Sequence, residues 1–311
     1  MTHIFFRANK NTYKANLHCH TTISDGKLSP EEIKSIYQSK GYQIVAFTDH
    51  DTFITHNDLT DDTFLAINGF EVAINQTSTI KHSSHLKTYH FNALATRPHQ
   101  QDVPSLPVMA YDDIKEINAY IDRLNKTGFL VCYNHPWWSL QTFNDYAYLE
   151  GIFAMEIYNH NCQVEDGFCG YNPQVYDEML RNNQRIFALS TDDNHNAHPV
   201  TSPYYDAFGG WVMISSLSLV YEDVISALTA GDFYATQGPD IYLIAIEDNH
   251  LIIECSPCKE IKVYTEGRKC YTLFGENLTK ATFKLEEFTT YFRVNITDRN
   301  KNEANSNGYF L

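Results

Sequence analysis

The sequence predicts an α/β fold: a parallel (β/α) barrel followed by a small β-rich C-terminal domain. Three observations carry this. Short apolar runs alternate with amphipathic stretches through most of the chain, side chains suited to metal ligation gather mostly at the ends of those runs, and helical patterning stops after Gly238. Alternating strands and helices build parallel sheets, and barrels of this kind carry chemistry at the C-terminal ends of their strands. The expected division is 1–237 for the barrel and 238–311 for the β domain.

Strands are expected at Lys14 to His20, Gln43 to Thr48, Phe64 to Phe70, Tyr89 to Leu94, Phe129 to Asn134, Phe153 to Tyr158 and Arg185 to Ser190. They are short and often unalternating, as strands buried on both faces are. Between several of them lie helical signals. Ser29-Pro30-Glu31-Glu32 supplies an N-cap, a first-turn proline and early acids ahead of Ile33 and Ile36. Ile114, Ile117, Ile121 and Leu124 recur at helical spacing before Gly128, and Asn172-Pro173 opens a segment with Val175, Met179 and Leu180. Beyond Gly238, the runs Ile241 to Ile246, Leu251 to Cys255, Ile261 to Tyr264 and Tyr291 to Ile296 follow one another without helices. Their many aromatics are read as β-core packing.

With 311 residues and 43% hydrophobic content, the chain can bury a large core. No signal-type h-region opens it and no apolar run reaches membrane-spanning length, so a soluble cytoplasmic protein without membrane contact is expected. Seven irregularly placed cysteines fit free thiols, and the isolated Cys255–Cys258 pair is read as structural. A net charge of -15 argues against binding long nucleic acid, and no pattern specifies an oligomeric state.

Nine residues form the candidate metal set: His18, His20, Asp25, His50, Glu71, His90, His135, Asp193 and His195. In a strand, His-x-His points both imidazoles to one face, and two buried imidazoles are costly unless something coordinates them. His90 departs from the pattern by standing at the start of its run. Cys19 faces the other way and is expected to pack, whereas His82, His85, His99 and His198 lie in polar loops as solvated side chains. Asp51 and Asp192 adjoin ligands and could orient imidazoles.

The runs NLHCHTTISDGKLSPEEI, AFTDHDTF, GFEVAI, YHFNAL, YNHPWW, MEIYN and STDDNHN resemble the polymerase and histidinol phosphatase (PHP) family of metallophosphoesterases over about residues 14 to 200. The resemblance implies a distorted seven-stranded TIM-like barrel holding two or three divalent metals. It places His18, His20, Glu71 and Asp193 on one metal with Glu71 bridging. His90 and His135 would join Glu71 on a second, and Asp25, His50 and His195 would hold a third. In the closing motif both Asp192 and Asp193 are offered, and spacing favours Asp193.

Mixed imidazole and carboxylate ligands suit zinc, manganese or iron. Clustered ions of this kind activate water and neutralise charge at phosphorus. Together with the resemblance, this implies phosphoesterase or phosphatase hydrolysis of a small phosphorylated substrate, and the resemblance offers histidinol phosphate or a nucleotide-type phosphate. Lys81, Lys87 and Arg97 are candidate phosphate contacts, and Asp51 or His195 would protonate the leaving group. Trp137 and Trp138 are placed to wall the site. Two rivals are amidohydrolase-like attack on an amide or lactone, and a non-catalytic domain that uses metal for stability and binds a partner.

Overall fold

The computed structural model describes residues 2–77, 86–165, 167, 170–285 and 289–311. Its strands in chain order are β1 (Thr2–Arg7), β2 (Thr12–Asn16), β3 (Ile44–Phe47), β4 (Leu65–Asn75), β5 (Thr88–Ala95), β6 (Phe129–Tyr133), β7 (Ala154–Asn159) and β8 (Phe187–Thr191). There follow β9 (Trp211–Ser215), β10 (Phe233–Thr236), β11 (Ile241–Glu247), β12 (His250–Thr265), β13 (Cys270–Lys284), β14 (Tyr291–Thr297), β15 (Glu303–Ser306) and β16 (Tyr309–Phe310). The helices are α1 (Pro30–Ser39), α2 (Ile114–Thr127), α3 (Phe143–Tyr146), α4 (His160–Val164), α5 (Pro173–Arg181) and α6 (Tyr221–Ala230).

The helix signals hold. Ser29 caps α1 in a reciprocal capping box, its Oγ accepting from Glu32 N while Glu32 accepts from Ser29 N. Asp113 caps α2, whose Ile117, Tyr120, Ile121 and Leu124 are buried, and Gly128 ends it at φ 101°, a left-handed conformation that favours glycine.

The sheet differs from the uniformly parallel barrel expected. All sixteen strands join one sheet of mixed α/β architecture. Along β2-β3-β4-β5-β6-β7-β8, the pairs β2–β3, β3–β4, β6–β7 and β7–β8 are parallel, but β5 is antiparallel to both neighbours. That reversal explains His90: the beginning of an antiparallel strand lies beside the end of its parallel-running neighbours. A parallel bridge, Cys19 to Asn194, links the segments just after β2 and β8, with His20 N donating to Asn194 O and Asp193 N to His18 O, each at 3.0 Å. The ligand-bearing segments therefore stitch the two ends of this run together.

In the C-terminal region, two expected runs fuse into β12. Its register shifts twice between Glu254 and Glu260, around Pro257, which cannot donate to a ladder and reads in the sequence as a break. The largely exposed β13, absent from the expected runs, alternates exposed with partly buried residues, and Tyr271, Leu273, Leu278, Ala281 and Phe283 pack on the core. From the other end of the chain, β1 pairs with β11 and Phe6 enters the cluster of Ile244, Ile253 and Val294. Among the described residues no helix is long and apolar enough to cross a membrane.

Candidate metal centre

All nine candidate ligands meet at the strand ends. Three groups form, each with ligand atoms within 4.8 Å of one another: His18, His20 and Asp193; Glu71, His90 and His135; and His20, Asp25, His50 and His195. The first differs from the expected grouping by lacking Glu71, and the third by including His20. Its Nε2 faces the first group, 3.1 Å from both His18 Nε2 and Asp193 Oδ1, while its buried Nδ1 faces Asp25 at 3.8 Å without a hydrogen bond. Glu71 stands at the centre, its carboxylate 3.0 Å from His50 and His90 and 3.4 Å from His18 and His135.

Local backbone geometry aims these groups. His135 and Asp193 both have positive φ, 26° and 55°, directly after β6 and near the end of β8. Such conformations are uncommon outside glycine and persist where the surroundings enforce them. Asp193 N is held by His18 O, and His135 N donates to Glu156 Oε2 at 2.9 Å.

Several supporting residues were not assigned roles from sequence. Glu156, fully buried on β7, lies 2.7 Å from His18 Nδ1 and also accepts from Thr191 Oγ1 and Asn159 Nδ2. Fixing Nδ1 in this way presents Nε2 to the cluster. Asn159 also donates to Asp193 Oδ2 at 3.0 Å, and Asn134 donates to Glu71 Oε1 at 2.7 Å. Asp49 accepts from the backbone and hydroxyls of Thr21 and Ser24, holding the loop that leads to Asp25. The available signal was a carboxylate or amide within otherwise apolar runs, as in MEIYN and CYNH.

The electrostatics follow from this packing. Burial opposes ionisation of Glu71 and Asp193, but surrounding imidazoles, His90 and His18 for Glu71 and His18 for Asp193, hold both carboxyls well below their usual range. Burial lowers His20. At His195 burial also opposes charge, but Asp25 and Asp193 prevail and raise the imidazole to about 9.

The donor set fits divalent cations. With His18 Nδ1 held by Glu156, its Nε2 faces another ring nitrogen and a carboxylate oxygen, a concentration of lone pairs that a cation relieves. Nitrogen and oxygen donors without thiolate match zinc, manganese or iron.

The groups open into a cavity of about 430 Å³, lined also by Lys27, Trp138, Asn161 and Glu165. Other expected residues lie elsewhere. Asp192 turns away, accepting from Tyr37 OH and the backbone of Phe208, Gly209 and Gly210; the choice of Asp193 as ligand is the one this geometry supports, and Asp192 does not orient an imidazole of the cluster. Asp51 is exposed and does not line the cavity. Lys87 pairs with Asp145 at 2.6 Å and Arg97 bonds Gln100 and Thr127 O; neither reaches the cavity, because local partners capture both. Lys81 lies outside the described residues. Trp138 packs edge-on against His135 with centroids 5.0 Å apart, while Trp137 is 55% exposed.

No family model matches the chain. A two-domain protein from Bacteroides vulgatus, containing a predicted PHP-like metal-dependent phosphoesterase, is similar in structure, with a TM-score of 0.50 and 16% identity over 99% of this chain and 97% of that one. At this identity the likeness is one of fold. An amidohydrolase from Chromobacterium violaceum aligns at a TM-score of 0.39 and 14% identity, over 58% of this chain and 87% of that one. A 5'-3' exoribonuclease from Haemophilus influenzae is 49% identical over 41 residues, 13% of this chain and 15% of the relative's length.

Proposed function

We propose that this chain is a metal-dependent phosphoesterase of PHP type, hydrolysing a small phosphorylated substrate. The observation that carries the reading is the convergence of nine imidazole and carboxylate ligands in three contiguous groups, seven of them lining one cavity and His18 and His20 buried behind it. A purely structural site closes its coordination with four ligands, whereas this set is larger and faces open space. Two or three divalent ions held there would polarise the phosphoryl oxygens and activate water.

The chain's own residues supply the rest. His18, His20, Glu71 and Asp193 are proposed to hold one ion, Glu71 with His90 and His135 a second, and Asp25, His50 and His195 a third. His195 is proposed as a ligand alone: its Nδ1 donates to Asp193 O at 3.0 Å and its Nε2 faces Asp25, so with an ion bound it keeps no proton for the leaving group. Lys27 replaces Lys87 and Arg97 as the proposed phosphate contact, since it is the cavity's only ammonium among the described residues. Histidinol phosphate and nucleotide-type phosphates both remain within the proposed class, and the short similarity to an exoribonuclease favours the nucleotide type. We further propose a barrel of residues 1–237, joined by the N-terminal strand to a β domain of 238–311, acting in the cytoplasm. Six described cysteines without disulfides support a reducing compartment.

The test is hydrolysis of p-nitrophenyl phosphate and a nucleotide panel by protein loaded with zinc, manganese or iron. Activity is expected to vanish on chelation and in His20→Ala. Activity that survives both would overturn the reading, and turnover of amides or lactones alone would transfer the site to carbonyl chemistry.

A further inference from the structure

The segment that carries His195 is clamped by a residue outside the ligand groups. Asp206, on the stretch between β8 and β9, is buried, belongs to none of the three groups and does not line the cavity. Its carboxylate accepts from two consecutive backbone N–H groups, that of His195 at 2.6 Å and that of Asn196 at 3.0 and 3.1 Å. From the other side, His195 O accepts from Lys27 N at 2.8 Å. Asp193 and Asn196 both have a φ of 55°, so the chain before and after His195 adopts a conformation that persists only where its surroundings enforce it.

Backbone N–H groups bond a carboxylate about twice as strongly as a neutral acceptor, and one carboxylate shared by two of them fixes their direction as well. The imidazole follows its backbone: His195 Nδ1 donates to Asp193 O at 3.0 Å, which leaves Nε2 3.5 Å from Asp25 Oδ1. We propose that Asp206 is a positioning residue for the third ion. It ligates nothing itself, but holds the His195 main chain so that Nε2 meets Asp25 and His50 at one point. This rests on the metal-centre reading above and names the group on which one of its three ions depends.

The experiment titrates metal-free full-length protein with zinc by calorimetry, comparing the unaltered chain with Asp206→Ala, His195→Ala and the double variant. Three ions are expected on the unaltered chain. Asp206→Ala should weaken one of them about 10- to 100-fold, the range for partners that orient a ligating imidazole, with the other two held as before. Because Asp206 acts through His195, the double variant should bind no more weakly than His195→Ala alone. Asp206→Asn keeps a carbonyl acceptor and should lose only about threefold, in the same ion. Undiminished affinity in Asp206→Ala overturns the proposal. So do equal weakening of all three ions and additive losses in the double variant, which would show a general structural role. Should Asp206→Ala not fold, the smaller loss in Asp206→Asn, absent when His195 is already alanine, decides in its place. An unaltered chain that takes up fewer than three ions removes the third site and this inference with it. Hydrolysis of phosphate esters is a separate readout, so its failure would defeat the phosphoesterase reading while the role of Asp206 in ion binding stands.

Discussion

Glu71 draws five imidazoles within 3.5 Å of its carboxylate, yet the group that fixes His18 is Glu156 on β7. Glu156→Gln replaces a carboxylate acceptor of the His18 Nδ1 proton with a neutral amide. Metal affinity should fall roughly 10- to 100-fold, as for other partners that orient ligating imidazoles, and calorimetric metal titration would measure it. Unchanged affinity would remove Glu156 from the orienting role. Lys27 belongs to the same scale. Its backbone donates to His195 O at 2.8 Å and its ammonium to the backbone oxygen of Asp25 at 3.3 Å, at the cavity wall. Lys27→Ala should raise KM for a phosphate ester by about tenfold with a smaller change in kcat, because a removed ground-state contact acts chiefly on binding. Steady-state kinetics that show only a kcat loss would argue against this.

At the scale of elements, the informative piece is the loop from Thr21 to Leu28. Asp49 holds its first half, and Gly26 lets it fold back against His20: a Cβ there would lie 2.5 Å from His20 O and 2.8 Å from Thr21 Cα. Those neighbours are backbone and cannot swing aside. Gly26→Ala should therefore displace Asp25 from its group and lower the number of ions bound, measured as metal per chain after dialysis. An unchanged stoichiometry would show that the loop absorbs the added methyl group. The reversed strand β5 teaches a different lesson. Tyr89 to Leu94 was recognisable as a strand, but a buried antiparallel strand and a buried parallel one carry the same apolar run. Direction was set by the pairing with β4 and β6, which lie far away in sequence.

For the whole molecule, a buried ion pair joins the C-terminal sheet to α5, beside the apolar packing of Tyr291 and Phe310. Arg293 on β14 is 1% exposed and grips Asp177 on α5 through Nε at 2.6 Å and Nη2 at 2.8 Å, with its guanidinium 4.1 Å over Tyr264. Removing one member of such a pair leaves the other uncompensated, which typically costs about 3–5 kcal/mol. Arg293→Met should show that loss in urea unfolding, and Arg293→Met with Asp177→Leu should recover part of it. A loss below about 1 kcal/mol would place the pair among weak surface bridges. Sequence reading missed this clamp because neither residue stands in a motif and 116 positions separate them.

The sequence by itself determined which side chains could ligate, and that most stand at strand ends, because ligand type and strand periodicity are local properties. It also determined the caps of α1 and the apolar face of α2. Tertiary structure decided what depends on distant partners. It turned the Asp193 carboxylate into the cluster and that of Asp192 onto backbone amides. It kept Lys87 and Arg97 out of the cavity by giving them nearer partners, while Lys27 lines it. A charged side chain goes where its strongest available partner lies, and folding alone assigns that partner.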